Sequence, residues 1–151
     1  EQASVRLKSG ARHAVSEAQR GLVSRALSPP QVTGDLEADG AALRTYLSAA
    51  FSPERAARAL LEAATKASAS DVHLESSEHG VVVQARLQGE LRAWFEVPGT
   101  ASARLFAALK HLSGCLPYRS DVFQEGRLPR EGVAADVRTS FVPTAMGERA
   151  S

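Results

Sequence analysis

Near Ser68–Ser70 the hydrophobic period of this chain changes from helical to two-fold, and that change confines what the residues up to Pro98 can become. Val72 and Leu74 alternate with Asp71, His73 and Glu75, so a strand here points apolar side chains one way and polar ones the other. The polar turn Ser77-Glu78-His79-Gly80 leads into Val81-Val82-Val83, Ala85 and Leu87, and Gln88-Gly89 leads into Leu91, Ala93, Phe95 and Val97. Alternating runs joined by short turns predict a three-strand antiparallel meander.

Cover for the meander is encoded on either side of it. Ser52-Pro53-Glu54 has the marks of a helix start: Ser caps orphan amides, Pro fits the first turn, and Glu suits the positive end of the dipole. Ala57, Leu60, Leu61, Ala64 and Ala67 give that helix an apolar face to about Ser68. Pro98-Gly99 ends the meander, and Leu105, Phe106, Leu109 and Leu112 predict a second helix stopping near Gly114. Further β structure is expected from Gln124 to Leu128 and from Val133 to Phe141. The order predicts an α+β domain, with helices covering a mainly antiparallel sheet.

The first fifty residues differ, being rich in Ala and Arg and broken by Ser28-Pro29-Pro30 and Thr33-Gly34-Asp35. Val15, Ala18, Leu22 and Ala26 predict a helix between Arg12 and Leu27 that the prolines end. Leu43, Tyr46, Leu47, Ala50 and Phe51 predict a short helix entered after a turn at Asp39-Gly40. Residues 1–52 are read as a helical leader or linker and residues 53–151 as the folded domain.

Composition narrows the partners. Eighteen basic and seventeen acidic residues leave a net charge of +1, which makes no case for nucleic acid or an anionic membrane. The lone Cys115 cannot close an internal disulfide, and no long apolar span or signal peptide stands out. A soluble, reducing, cytoplasmic setting is expected. The first residue is Glu rather than Met, so the chain is expected to be an excised or processed piece, and a missing targeting signal says little about its parent.

Candidate chemistry is sparse. Asp71, His73 and Glu75 share one strand face and are metal-ligand types, yet there is no HExxH and no cysteine pair. The alternative is that the two acids bridge neighbouring segments while His73 packs on a polar face. No metal is expected. GxSxG is absent, and Cys115 sits among Leu112, Gly114 and Leu116, which suits a small buried residue rather than a nucleophile. There is no GxxxxGK[ST] loop to cradle nucleotide phosphates, so this chain is not expected to hydrolyse ATP by itself. Three arginines stand out: Arg86 in a strand before a tight turn, Arg127 following Gly126 in a loop, and Arg138 in the last predicted strand. Each offers a permanent charge and a planar fork of donors suited to phosphate.

Ala69-Ser70-Asp71-Val72-His73-Leu74-Glu75 and Ala85-Arg86-Leu87-Gln88-Gly89-Glu90-Leu91 resemble the ASDIHIE and RxRxDGxL elements of the secretion ATPases of type II secretion and type IV pili. Phe123-Gln124-Glu125-Gly126-Arg127 resembles the family's PQDGR. Asp136-Val137-Arg138-Thr139-Ser140 and Pro143-Thr144-Ala145-Met146-Gly147-Glu148-Arg149 resemble its DxRxS…PTxxGE. The four matches keep the family order and span about residues 53–149. The resemblance implies the second N-terminal domain, a PAS-like module ahead of a RecA-like motor, with arginines reaching toward a nucleotide between the two domains. It places phosphate contacts at Arg86, Arg127 and Arg138, no catalytic residue in this chain, and ATP with Mg only in the full-length family. The implied partners are the motor domain, neighbouring subunits of a hexameric ring and inner-membrane platform proteins, with neither nucleic acid nor direct membrane insertion. The implied location is cytoplasmic, peripheral to the bacterial inner membrane.

The sequence departs from that pattern. Gln84 replaces the first arginine of RxR, Gln88 the aspartate of DG, Phe123 the proline of PQDGR and Glu125 its aspartate. Losing an arginine at position 84 removes a permanent charge. An alternative function follows: a non-catalytic adaptor or sensory module that keeps the fold and serves another assembly component.

Overall fold

The computed structural model describes residues 28–49, 52–130 and 135–151. Along the chain run α1 (Leu36–Leu47), α2 (Pro53–Lys66), β1 (Asp71–Ser77), β2 (Gly80–Leu87), β3 (Glu90–Pro98), α3 (Gly99–Leu112), β4 (Gln124–Arg127), β5 (Arg138–Thr144) and β6 (Gly147–Ala150). The strands form one six-stranded antiparallel sheet in the order β3-β2-β1-β6-β5-β4. This is the α+β architecture expected from the sequence. The predicted helix between Arg12 and Leu27, and positions 50 and 51 of the second stripe, lie outside the described residues.

Local chemistry explains most boundaries. Ser52 Oγ accepts from the Arg55 amide and Pro53 opens α2, while Ser68, at φ +58°, turns the chain left-handed and ends it. Gln88 and Gly89 both have positive φ, so the β2–β3 turn is a two-residue loop matched to the twist of the strands.

One face of the sheet is covered. Leu74, Val81, Val83, Phe95, Val97, Phe141 and Ala150 meet Leu43, Leu60, Leu105 and Leu109 from the three helices in a single core. Strand alternation sends Arg86, Glu75, Arg138 and Arg127 to the uncovered face.

Asp39-Gly40 is not the turn that the sequence suggested. Both residues lie inside α1, which begins earlier, with Asp35 Oδ1 accepting from the Ala38 amide at 2.8 Å. The buried Asp39 carboxylate accepts from the Thr33 and Gly34 amides and the Thr33 hydroxyl, folding the preceding loop onto the helix. Gly40 leaves room for Trp94: a Cβ there would sit 2.8 Å from the indole Cδ1, and Trp94 Nε1 donates to Leu36 O at 2.7 Å. Helix α1 therefore packs on β3 and α2 and belongs to the same core.

Two further elements differ from expectation. Arg127 closes strand β4 rather than sitting in a loop, and β5 continues past Phe141 to Thr144 before turning into β6. Gly126 is likewise mid-strand. A Cβ there would come within 2.3 Å of Ser113 O, so close approach of the α3–β4 connection, not a turn, requires glycine.

Candidate functional site

The sheet register puts the three candidate arginines in one row. Asp71 pairs with Arg86 across β1–β2, and Arg127 pairs with Arg138 across β4–β5. Ala150 of β6 lies level with Leu74 on one side and Phe141 on the other. Three residues back from each, Asp71 and Arg138 are therefore level too, on the face opposite the core. Across this end of the sheet the order is Arg86, Asp71, Arg138 and Arg127, with β6 standing between β1 and β5 in the strand order.

Carboxylates occupy two of these forks. Arg127 Nε and Nη2 donate to Asp136 Oδ1 and Oδ2 at 2.7 and 2.6 Å, a bidentate pair at the sheet surface. That hydrogen-bonded fork, with the charges of Arg127, Arg130 and Arg138 behind it, holds the Asp136 carboxyl below its usual range. Arg86 Nε lies 3.3 Å from Asp71 Oδ2, and its Nη1 donates to Gly89 O at 3.1 Å, across its own turn. Arg138 is exposed and adds its charge to the same cluster.

The other sequence candidates have local partners. Asp71 bridges to Arg86, and Glu75 accepts from Arg149 at 2.8 Å, joining β1 to β6. His73 Nε2 is buried and has no hydrogen-bond partner among the described residues. No group of three His, Cys, Asp or Glu that could hold a metal occurs among the described residues. Burial pushes the half-buried Cys115 thiol up, partly opposed by the nearby Lys110 charge, so it is a poor thiolate.

Sequence reasoning missed what Glu148 and Gln124 do. Lys110, 1% exposed in α3, donates to Glu148 Oε1 and at 2.7 Å to Arg119 O, with its ammonium 5.6 Å from the Phe141 ring centre. A lysine four residues after Phe106, on the buried side of an apolar helix, was the available signal. Gln124 accepts from the Leu116 amide and donates to Leu116 O and Arg119 O, so its amide shapes the loop after α3.

The family model described as Type II/IV secretion system protein matches residues 49–151. The chain is 34% identical over 97 residues to the Type II secretion system protein E of Aeromonas hydrophila, a match covering 63% of this chain and 19% of that protein. It is 34% identical over 84 residues to the Type IV pilus assembly ATPase PilB of Thermus thermophilus, covering 54% of this chain and 9% of that protein. The Type II secretion system ATPase E of Vibrio cholerae is 33% identical over 93 residues, covering 60% and 18%. The chain thus spans about a fifth or less of the curated relatives it matches.

Proposed function

Because the chain belongs to the Type II/IV secretion system protein family, we propose that it is the N-terminal regulatory module of a secretion or pilus ATPase. In this reading a RecA-like motor elsewhere in the parent polypeptide binds ATP and Mg, and this module closes over the phosphates. Hydrolysis then changes the contact between module and motor, and subunits of a hexameric ring pass that motion to an inner-membrane platform from the cytoplasmic side. The PAS-like fold belongs to the same proposal, with α1 counted in the module because it shares the core of the sheet and the other helices. No helix among the described residues is long and apolar enough to cross a membrane.

The observation that carries this reading is the arginine row. Arg127 and Arg138 are directly paired neighbours, on the order of 5 Å apart along the ladder. Arg127 already holds a planar oxyanion in a bidentate fork, the geometry a phosphate would take. Exposed ion pairs hold weakly, so phosphates presented by a closing motor could displace Asp136 and Asp71. Differential binding then links nucleotide to domain closure: the closed state gains arginine–phosphate contacts that the open state lacks.

The test uses the parent protein with its motor domain. Arg86→Ala or Arg127→Ala should lower ATPase turnover by at least about tenfold, toward the 10³-fold scale of arginines at a transferring phosphoryl group. The unfolding midpoint should stay within a few degrees of the parent. Undiminished turnover in both variants would reject the assignment. The adaptor alternative draws on a different observation: Leu116, Tyr118 and Phe123 are exposed on the loop shaped by Gln124. Loss of subunit association on Tyr118→Ser, with turnover intact in the arginine variants, would favour it.

A further inference from the structure

Arg127 faces a residue of its own charge across the ladder. Arg138 is its direct partner on β5, and like charges directly opposite cost stability unless an anion relieves them. Asp136 supplies that anion from two residues ahead of Arg138, on the same face. The ladder carries it into place: the Leu128 amide donates to Val137 O at 3.0 Å, one step beyond the last pair of β4 and β5, and Leu128 itself is buried. From there both Asp136 carboxylate oxygens meet Arg127 Nε and Nη2, at 2.7 and 2.6 Å. The charges of Arg130 and Arg138 reach the same carboxylate.

The other end of the row is built differently. Asp71 lies directly opposite Arg86, but its Oδ2 also accepts from the Ser70 hydroxyl at 2.8 Å, and Arg86 Nε lies 3.3 Å away. Arg86 Nη1 is turned to Gly89 O. Asp71 thus meets Arg86 loosely, whereas Asp136 covers one whole edge of the Arg127 guanidinium.

We propose that Asp136 is a built-in competitor for the Arg127 fork, keeping it closed to free polyphosphate until a motor domain presents the phosphates. The inference rests on the phosphate reading of the row and adds its regulation. A carboxylate reproduces one edge of a phosphate group, with two oxygens and the same sign of charge. Being tethered, it competes at a high effective concentration, so a dilute free anion does not displace it. A polyphosphate chain carries further charged oxygens that Arg138 and Arg130 can meet at the same time, and it prevails once it is held in place. The exchange is feasible because the pair is open to solvent, with side chains 55% and 35% exposed for Arg127 and Asp136.

Titration calorimetry of the 151-residue chain with inorganic tripolyphosphate at low ionic strength tests this. Asp136→Asn, and Asp136→Ser as a second neutral variant, should each bind at least about fivefold more tightly than the unaltered chain, the scale of an exposed ion pair plus one repulsion removed. Combining Arg127→Ala with Asp136→Asn should abolish the gain. Asp121→Asn is the control for net charge: it frees Arg119 from another exposed bidentate pair, at 2.8 and 3.1 Å, and should give no gain. A gain of equal size in Asp121→Asn, or one that survives Arg127→Ala, overturns the proposal by assigning the effect to overall charge. Unchanged or weaker binding in both neutral variants overturns it, and so does loss of the fold in both, which would make the pair structural. Undiminished ATPase turnover in Arg127→Ala would strike the nucleotide reading instead, so the two failures are distinguishable.

Discussion

Asp136 occupies the fork of Arg127 much as a phosphate oxygen pair would. Its carboxyl is held down chiefly by the hydrogen bonds from Arg127, so its ionised form favours the folded state. The folded value is the depressed one. The contribution is therefore complete above the unfolded carboxyl value of about 4 and fades as pH falls through the lower folded value. Arg127→Ala should return Asp136 toward its ordinary range, read by carboxyl NMR titration, and an unmoved titration would mean that the fork is not what holds it. The strand positions of Arg86 and Arg138 were legible from period-two alternation, whereas Arg127 was expected in a loop and closes β4 instead. Their sharing of one row was not legible, because register across non-adjacent segments is not encoded in local spacing. Asp136 was missed as a partner because ion pairing from a loop leaves no periodic trace.

Among the elements, α2, the meander and α3 were legible because capping, prolines and alternation all agree there. Helix α1 was legible only in part. Asp-Gly is a strong turn pair, but here Asp39 bonds backward to the loop and Gly40 yields its side-chain volume to Trp94. Opposing effects make a prediction possible. Gly→Ala within a helix ordinarily stabilises by about 1 kcal/mol. At Gly40 the new methyl meets a rigid indole whose nitrogen is fixed on Leu36 O, and overpacking of this kind costs about 1–3 kcal/mol. Gly40→Ala should therefore be net destabilising in chemical denaturation, and a gain in stability would show that Trp94 moves aside freely.

At the scale of the whole molecule the sheet has two halves, β1–β3 and β4–β6, joined by the register pairs Leu74↔Ala150 and Glu75↔Arg149. Ser76 Oγ exchanges bonds with the Glu148 backbone at 2.7 and 3.1 Å, and the Lys110–Glu148 pair ties the same point to α3. Removing one partner of a buried ion pair strands the other charge. Lys110→Met should thus cost about 3–5 kcal/mol, while Lys110→Met with Glu148→Leu should cost less than either single change. Additive losses in urea denaturation would show that the two residues act separately. The pairing was not legible in the sequence, since Lys110 and Glu148 lie far apart in the chain and only the buried-side position of Lys110 signalled that it needs a partner.

That narrow junction also orders events in time. The meander closes through turns of two residues, and the β5–β6 hairpin closes just as locally, so neither loses much chain entropy on forming. Joining β6 to β1 closes a loop from Leu74 to Ala150, and such distant contacts are the slow ones. The β1–β6 pairing is therefore expected to be a late step in assembling the sheet. Until then the arginines of the two halves share no row.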